Sequence, residues 1–265
     1  REKIPFWNAL AKPAKKIRVD DIVFFGRDAS ATVKQKNKDG TIQLDFQMSA
    51  KDVFALTDRL GEVPTPPYVH APSTPERYQT IYAKHIGSVA APTAGFHFTD
   101  DLFHRLDARG IRRAFVTLHV GLGTFRPIKT LSLEEHEMHE EWADVPQQTC
   151  DAIVETKKNG GRVVVVGTTT LRALESAASQ QHSSSDVSNP KFPVSSFSGF
   201  TRLFITPGYR FHVADALLTN FHLPKSTLLV LVSAFAGREN ILHAYTNAIR
   251  QRYRFYSFGD AMLIV

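Results

Sequence analysis

Residues 163–178 read VVVVGTTTLRALESAA, and this stretch decides the fold class. Four consecutive valines form a strand without a polar face, which predicts cover on both sides, as in the parallel sheets of α/β proteins. Gly167 ends the run, three threonines follow, and apolar residues then recur at helical spacing from Thr168 to Ala178. A strand that passes directly into a helix leaves unpaired backbone N–H groups and the positive helix end at the strand's carboxyl terminus. The threonines either cap that helix or cradle a carboxylate or phosphate, and both readings stay open at this point. Arg172 and Glu175, three residues apart, are expected as a solvated ion pair.

The alternation continues outward from this unit. Thr99, Asp100 and Asp101 start a helix that runs to Gly110, and residues 113–120 (RAFVTLHV) follow as a strand. Pro146 opens a helix with Cys150, Ile153 and Val154 on one face, ended by Gly160 and Gly161. Residues 226–237 form a further helix and 261–265 a last strand, so the expected class is α/β. Toward the amino terminus the pattern changes. Segments 17–25, 31–35 and 41–46 are alternating or β-branched, separated by turns such as 36–40 (KNKDG), which predicts a small β-domain. The proline-rich 63–67 (VPTPP) marks its boundary, dividing the chain into residues 1–62 and 63–265. Residues 181–199, rich in Ser, Pro and Asn, read as a surface loop.

Composition narrows the function classes. Thirty-two Lys and Arg against 26 Asp and Glu give a formal charge of +6 and a pI near 9.4, which favours polyanionic partners. The single cysteine, Cys150, excludes an intramolecular disulfide and a thiolate metal cluster and points to a reducing compartment, with the cytoplasm expected. No apolar run is long enough to span a bilayer; the longest, residues 228–235, is expected as buried core. The chain begins with Arg1 rather than Met and is expected to start partway into its protein.

Several polar residues are placed to do chemistry. His97 lies in a Gly-containing turn (93–99, TAGFHFT) before a helix cap, and His119 lies at a strand end just before the turn 121–124 (GLGT). Gly121 and Gly123 signal a close backbone approach but no dinucleotide fingerprint, because Arg126 takes the place of its third glycine. His136 and His139 in HEMHEE stand one residue closer than a zincin helix requires, so no metal site is expected, although a metal-dependent hydrolase is the enzyme alternative they suggest. The segments 12–18 (KPAKKIR) and 250–254 (RQRYR) are the best phosphate-facing candidates, and a non-catalytic RNA-binding module is the second alternative.

Longer strings carry a resemblance. Residues 66–68 (PPY), 77–83 (RYQTIYA), 88–99 (SVAAPTAGFHFT), 117–125 (TLHVGLGTF), 136–141, 167–176 (GTTTLRALES), 204–209 (FITPGY), 219–228 (TNFHLPKSTL) and 257–262 (SFGDAM) follow one another as in the S-adenosylmethionine:tRNA ribosyltransferase-isomerases of queuosine biosynthesis, which the chain resembles. The segment 72–75 is shorter than usual for that family and 181–197 longer. The resemblance implies an α/β core domain with a smaller inserted β-barrel domain, residues 1–62 being part of the barrel and the amino-terminal part of the core lying outside this chain. It implies a reaction that moves and rearranges the ribosyl group of S-adenosylmethionine onto 7-aminomethyl-7-deazaguanine at the tRNA wobble position, giving epoxyqueuosine-tRNA, adenine and methionine. The sulfonium compound is consumed as a substrate, no cofactor is needed, no membrane is involved, and a monomer is expected.

The same resemblance suggests roles. His97 or His119 would be the base, oriented by Glu141 or His139, and Asp215 and His222 would be candidate acids for departing adenine. Thr168, Thr169 and Arg172 would hold the methionine carboxylate, while Thr93, Gly95, Gly121, Gly123 and Asn220 would contact substrate. Arg77, Lys225, Arg250, Arg252 and Arg254 would meet tRNA phosphates.

Overall fold

Burial of alternate residues makes the first sheet. In β3 (Ala29–Lys36) Ala31 and Val33 point inward, and in β4 (Thr41–Asp45) Ile42 and Leu44 do, as the two-residue repeat of a strand requires. With β1 (Trp7–Leu10) and β2 (Ile22–Phe25) they form a four-stranded antiparallel sheet in the order β1-β4-β3-β2. Helix α1 (Ala50–Leu60) is capped by the Ser49 hydroxyl, which accepts from Asp52 N at 3.2 Å, and it adds Val53 and Leu56 to the same core.

The structure is a computed structural model that describes residues 6–27, 29–37, 40–66, 68–69, 74, 77–121, 130, 132–182 and 194–265. It divides into two compact units, Arg1–Val63 and Pro64–Val265. In the first, β1 and β2 are the edges of the sheet and do not pair with each other among the described residues, so the sheet is open and the expected barrel closure is not seen. The strand expected over 17–25 starts only at Ile22, because Asp20 adopts φ 68° and gives its N–H to Val33 O, turning the chain. Helix α1 adds to the expected elements; its first turn carries the Ser-x-x-Asp signature, but its apolar face is narrow.

The second unit holds two three-stranded sheets. One is ordered β10-β9-β7, with β7 (Val164–Val166) parallel to β9 (Ala216–Asn220) and β10 (Ala261–Ile264) antiparallel to β9. The other, antiparallel, is ordered β5-β6-β8, from Thr117–His119, Glu141–Val145 and Phe197–Thr201. Helix α4 (Thr168–His182) touches strands of both sheets, and every side chain from 171 to 178 is buried. The unit also contains α2 (Asp100–Asp107), α3 (Gln147–Lys158), α5 (Thr227–Ala236) and α6 (Arg238–Arg250). Cys150 on α3 is fully buried in this core, where burial pushes its thiol pKa up.

The structure corrects three expectations. Among the described residues strand β7 is an edge strand and Val164 is 53% exposed, so the valine run is not covered on both faces there. Because α4 is enclosed on all sides, Arg172 and Glu175 are buried and do not form a solvated pair. Strand β8 occupies part of the segment read as a loop, while residues 183–193 of it lie outside the described residues. No described helix is long and apolar enough to cross a membrane.

Candidate active site

Strands β7 and β9 run parallel, and both deliver their carboxyl ends to one place, where α4 starts after β7. Gly167 makes that passage: its N–H continues the ladder to Leu218 O at 2.8 Å, and its φ of +91° turns the chain at an angle that side chains disfavour. The first backbone bond of α4 runs from Leu171 N to Gly167 O at 3.1 Å, so the N–H groups of Thr168, Thr169 and Thr170 have no partner within the helix. A cavity of about 250 Å³ opens in front of them. Strand ends and helix starts of a parallel pair favour ligands at this position.

Residues distant in sequence converge on the cavity: Thr93 from the turn Thr93–His97, Thr168 to Thr170, Thr219, Asn220 and His222 from the end of β9, and Tyr68, Tyr256 and Ser257. Thr93 Oγ1 donates to Asn220 Oδ1 at 2.9 Å, and Asn220 Nδ2 donates to His97 Nε2 at 3.3 Å. His97 therefore holds Asn220 from behind. Burial lowers its pKa, partly opposed by Asp260 and reinforced by Arg254, which suits a ring that accepts a hydrogen bond at Nε2. His222 lines the cavity itself. Its backbone N–H donates to Tyr245 Oη at 2.7 Å, and its Nε2 shares a 3.0 Å hydrogen bond with Thr219 Oγ1. Burial drives the His222 pKa down to about 4, so the ring is neutral at pH 7.

Other expected site residues are not brought together with these. His119 precedes the cavity-lining Val120, and successive strand residues face opposite ways. Its ring stacks on Trp142 at 4.9 Å and sits against Gly87, where a Cβ would come 2.7 Å from Cε1, while its buried Nδ1 finds no partner. Glu141 precedes Trp142 on β6 and so faces away from His119; it is ion-paired with Arg172, both nearly fully buried. Arg172 also donates through Nε to Leu203 O at 2.9 Å and is tied up below the cavity floor rather than lining it. His139 is exposed and outside the cavity. Asp215 stands at the opposite end of β9 from Asn220, roughly 16 Å along the strand, bonded to Lys157 and, at 2.7 Å, to Val163 N. Gly95 is a packing glycine, since a Cβ there would meet Tyr82 Oη at 2.2 Å. Gly121 is half-buried with open space at its Cβ position, and Gly123 lies outside the described residues.

Of the basic candidates, Lys225 sits exposed at the rim between the lining residues Pro224 and Ser226. Arg77 and Arg252 are exposed, and Arg250 gives Nη2 to Asn247 Oδ1 at 2.9 Å. Arg254 binds Asp260 at 2.8 Å, so its charge is largely neutralised. Sequence reasoning missed Thr219, Tyr68, Tyr256 and Ser257 as cavity residues. Tyr68 and Ser257 lie in strings quoted for the resemblance, PPY and SFGDAM, but nothing local in those strings says which face of the chain meets a ligand.

Comparison with known proteins agrees with this architecture. The family described as queuosine biosynthesis protein matches residues 1–264. The chain belongs to the queuosine biosynthesis protein family. An S-adenosylmethionine:tRNA ribosyltransferase-isomerase from Zymomonas mobilis is 48% identical over 270 residues, covering 100% of this chain and 76% of that protein. The crystal structure of an S-adenosylmethionine tRNA ribosyltransferase from Thermotoga maritima is similar with a TM-score of 0.52 and 34% identity, covering 100% of this chain and 72% of that one. As a member of the queuosine biosynthesis family the chain is an enzyme, a transferase-isomerase of queuosine synthesis.

In this family member the neutral His222 carries a pH signature. Its folded pKa of about 4 lies below the ordinary imidazole value of 6.5, so below pH 6.5 the unfolded chain binds the proton more readily. This contribution to stability is complete above about pH 6.5 and falls as the pH drops toward 4, by at most about 3 kcal/mol. Urea midpoints at pH 7 and pH 4.5 should therefore differ less in His222→Gln than in the wild type. Equal differences would show that His222 is not buried neutral.

Proposed function

We propose that this enzyme transfers and isomerises the ribosyl moiety of S-adenosylmethionine onto 7-aminomethyl-7-deazaguanine at the wobble position of tRNA, releasing adenine and methionine and leaving epoxyqueuosine. The observation that carries the reading is the cavity at the paired strand ends, with open N–H groups of α4 on one side and the neutral imidazole of His222 on another. A sulfonium withdraws charge from the adjacent ribose 5′ carbon, so a neutral base is sufficient to remove its proton. The same sulfonium makes methionine a good leaving group. The chemistry thus asks for no further cofactor.

His222 is the base in this reading rather than the acid, because an imidazole with a pKa of about 4 does not carry the second, acidic proton of an imidazolium at neutral pH. With its ring proton on Nε2 and shared with Thr219, Nδ1 offers the lone pair. His97 is a positioning residue that holds Asn220, and Asn220 and Thr93 orient the substrate. The N–H groups and hydroxyls of Thr168 and Thr169 receive the methionine carboxylate, an anion suited to a helix start. In the overall change the C5′–S, C1′–N9 and C1′–O4′ bonds, one C5′–H and one acceptor N–H break. Bonds C1′–N, C1′–C5′ and C5′–O4′ form and close the epoxide-bearing carbocycle. Methionine leaves with the C5′–S electron pair, adenine takes one proton at N9 and the other goes to solvent.

Residues 1–62, which hold the open sheet, are assigned to an inserted β-barrel domain, and residues 63–265 to the α/β core. Cytoplasmic location and a monomeric state complete the reading. Lys225, Arg77, Arg250 and Arg252 supply phosphate contacts, with Arg254 weakened by its pairing to Asp260. Affinity for tRNA should fall steeply with salt, by a log–log slope of roughly −0.7 to −0.9 per phosphate contact, and the Lys225→Ala variant should flatten it by about one contact. A salt-independent affinity would remove this surface from the reading.

The deciding experiment offers the protein S-adenosylmethionine and tRNA bearing the aminomethyl base. Adenine and methionine should appear in equal amounts, one of each per sulfonium consumed. An intact sulfonium donor beside bound tRNA overturns the reading and leaves an RNA-binding protein.

A further inference from the structure

The aromatic side of the cavity is built with more care than a simple wall needs. Tyr68 and Tyr256 both line it, with ring centroids 4.9 Å apart. Tyr256 takes φ +71°, a conformation that a bulky residue adopts only where its surroundings impose it. Those surroundings are visible. The loop between α6 and β10 is closed by Arg254, whose backbone N–H and guanidinium each reach the Asp260 carboxylate at 2.8 Å. Gly259 permits the closure, since a Cβ there would meet Arg254 O at 2.4 Å. On one side of Tyr256, Phe255 stacks on Phe221 at 4.9 Å; on the other, Phe258 packs on Tyr78 at 5.6 Å. Its own N–H is held by Phe221 O at 3.0 Å.

The outcome is a tyrosine on a closed loop whose Phe255 and Phe258 are packed on other rings, while Tyr256 itself lines the cavity. Strain of this kind, kept at a cavity by a closed loop, is typical of a ligand contact. Tyr68 is fixed too, its Oη bonded to the buried Ser257 Oγ at 2.9 Å. The two rings, tilted by 41° to one another, both line the cavity, and an aromatic wall favours another flat ring.

From this we infer that the Tyr68–Tyr256 wall is the subsite for the purine ring of the sulfonium nucleoside, with Tyr256 as its specificity-determining residue. The inference rests on the proposed function and goes further by dividing the cavity. The amino-acid carboxylate lies at the start of α4 and the purine lies against the tyrosines, so that the ribose and sulfonium between them come to His222. A ligand with an anion at one end and a flat heterocycle at the other uses both walls. The acceptor base, attached to a polymer, brings no carboxylate for the helix end.

The test compares two unreactive probes by calorimetry on the whole protein: S-adenosylhomocysteine, and S-ribosylhomocysteine, which lacks only the purine. Tyr256→Gly removes the ring and suits the left-handed backbone, so it should fold, as its melting temperature will report. It should bind S-adenosylhomocysteine roughly 10- to 100-fold more weakly than the wild type while its affinity for S-ribosylhomocysteine stays within about two-fold, and Tyr256→Phe should behave like the wild type toward both. An unchanged affinity for S-adenosylhomocysteine overturns the assignment, as does an equal loss for both probes. Loss confined to free 7-aminomethyl-7-deazaguanine also overturns it and gives the wall to the acceptor base. Wild-type protein that binds neither probe overturns the proposed function itself, a result distinct from the others.

Discussion

Replacing Glu141 with leucine should destabilise the protein by about 3–5 kcal/mol, because it strands the Arg172 guanidinium in a site from which water is excluded. Both side chains are 4% exposed, and among the described residues Arg172 Nη2 already lacks a partner. Burial lowers the Arg172 pKa while the Glu141 charge and hydrogen bond raise it, so the carboxylate is what keeps this cation tolerable. The pair ties β6 to α4, the helix between the sheets, and Arg172 further ties Leu203. Urea unfolding measures the loss. The double variant Glu141→Leu, Arg172→Leu should recover a large part of it, since removing both charges also removes their desolvation. A loss under about 1 kcal/mol in the single variant would mean that water reaches the pair.

Replacing His222 with alanine should reduce the rate of adenine release by about 10²- to 10⁴-fold, the range for loss of a general base. Affinity for S-adenosylhomocysteine should change little, so the effect belongs to kcat rather than to binding. The pH profile separates this role from a purely structural one. A base held neutral down to about pH 4 leaves the acidic limb of the wild-type rate near that value, well below the usual imidazole range. His119→Ala should have a smaller effect on kcat, because His119 faces Trp142 and not the cavity. Single-turnover rates of the two variants decide between them. A near-normal rate in His222→Ala would remove it as the base.

Much of this molecule is legible in its amino-acid order alone. The passage from strand to helix at Gly167, the burial of Cys150 and the ends of α5 at Ser226 and Gly237 all follow from local signals in the chain. Each depends on neighbours within a few residues: a β-branched run, a glycine where φ is positive, a hydroxyl before a helix. Helices α1 and α6 are not among the expected elements, although their apolar residues recur at helical spacing, Val53, Leu56 and Leu60 in one and Ile241, Tyr245 and Ala248 in the other. The cavity is half legible. Thr93, Thr168, Thr169, Asn220 and His222 are expected near a substrate, and all five line it. His119, Glu141, Arg172 and Asp215 are expected there also and face elsewhere.

What separates the two sets is reach along the chain. A polar residue's type and its place at a strand end can be read locally, but its partner cannot. Glu141 and Arg172 are 31 residues apart, and Tyr68 and Ser257 are 189 apart. Sequence by itself determined most of the elements, because φ/ψ preference and hydrophobic period act between near neighbours. Only the tertiary structure decided which polar groups neutralise one another in the core and which are left facing the cavity, because that choice depends on where separate strands are laid side by side and which face of each is buried.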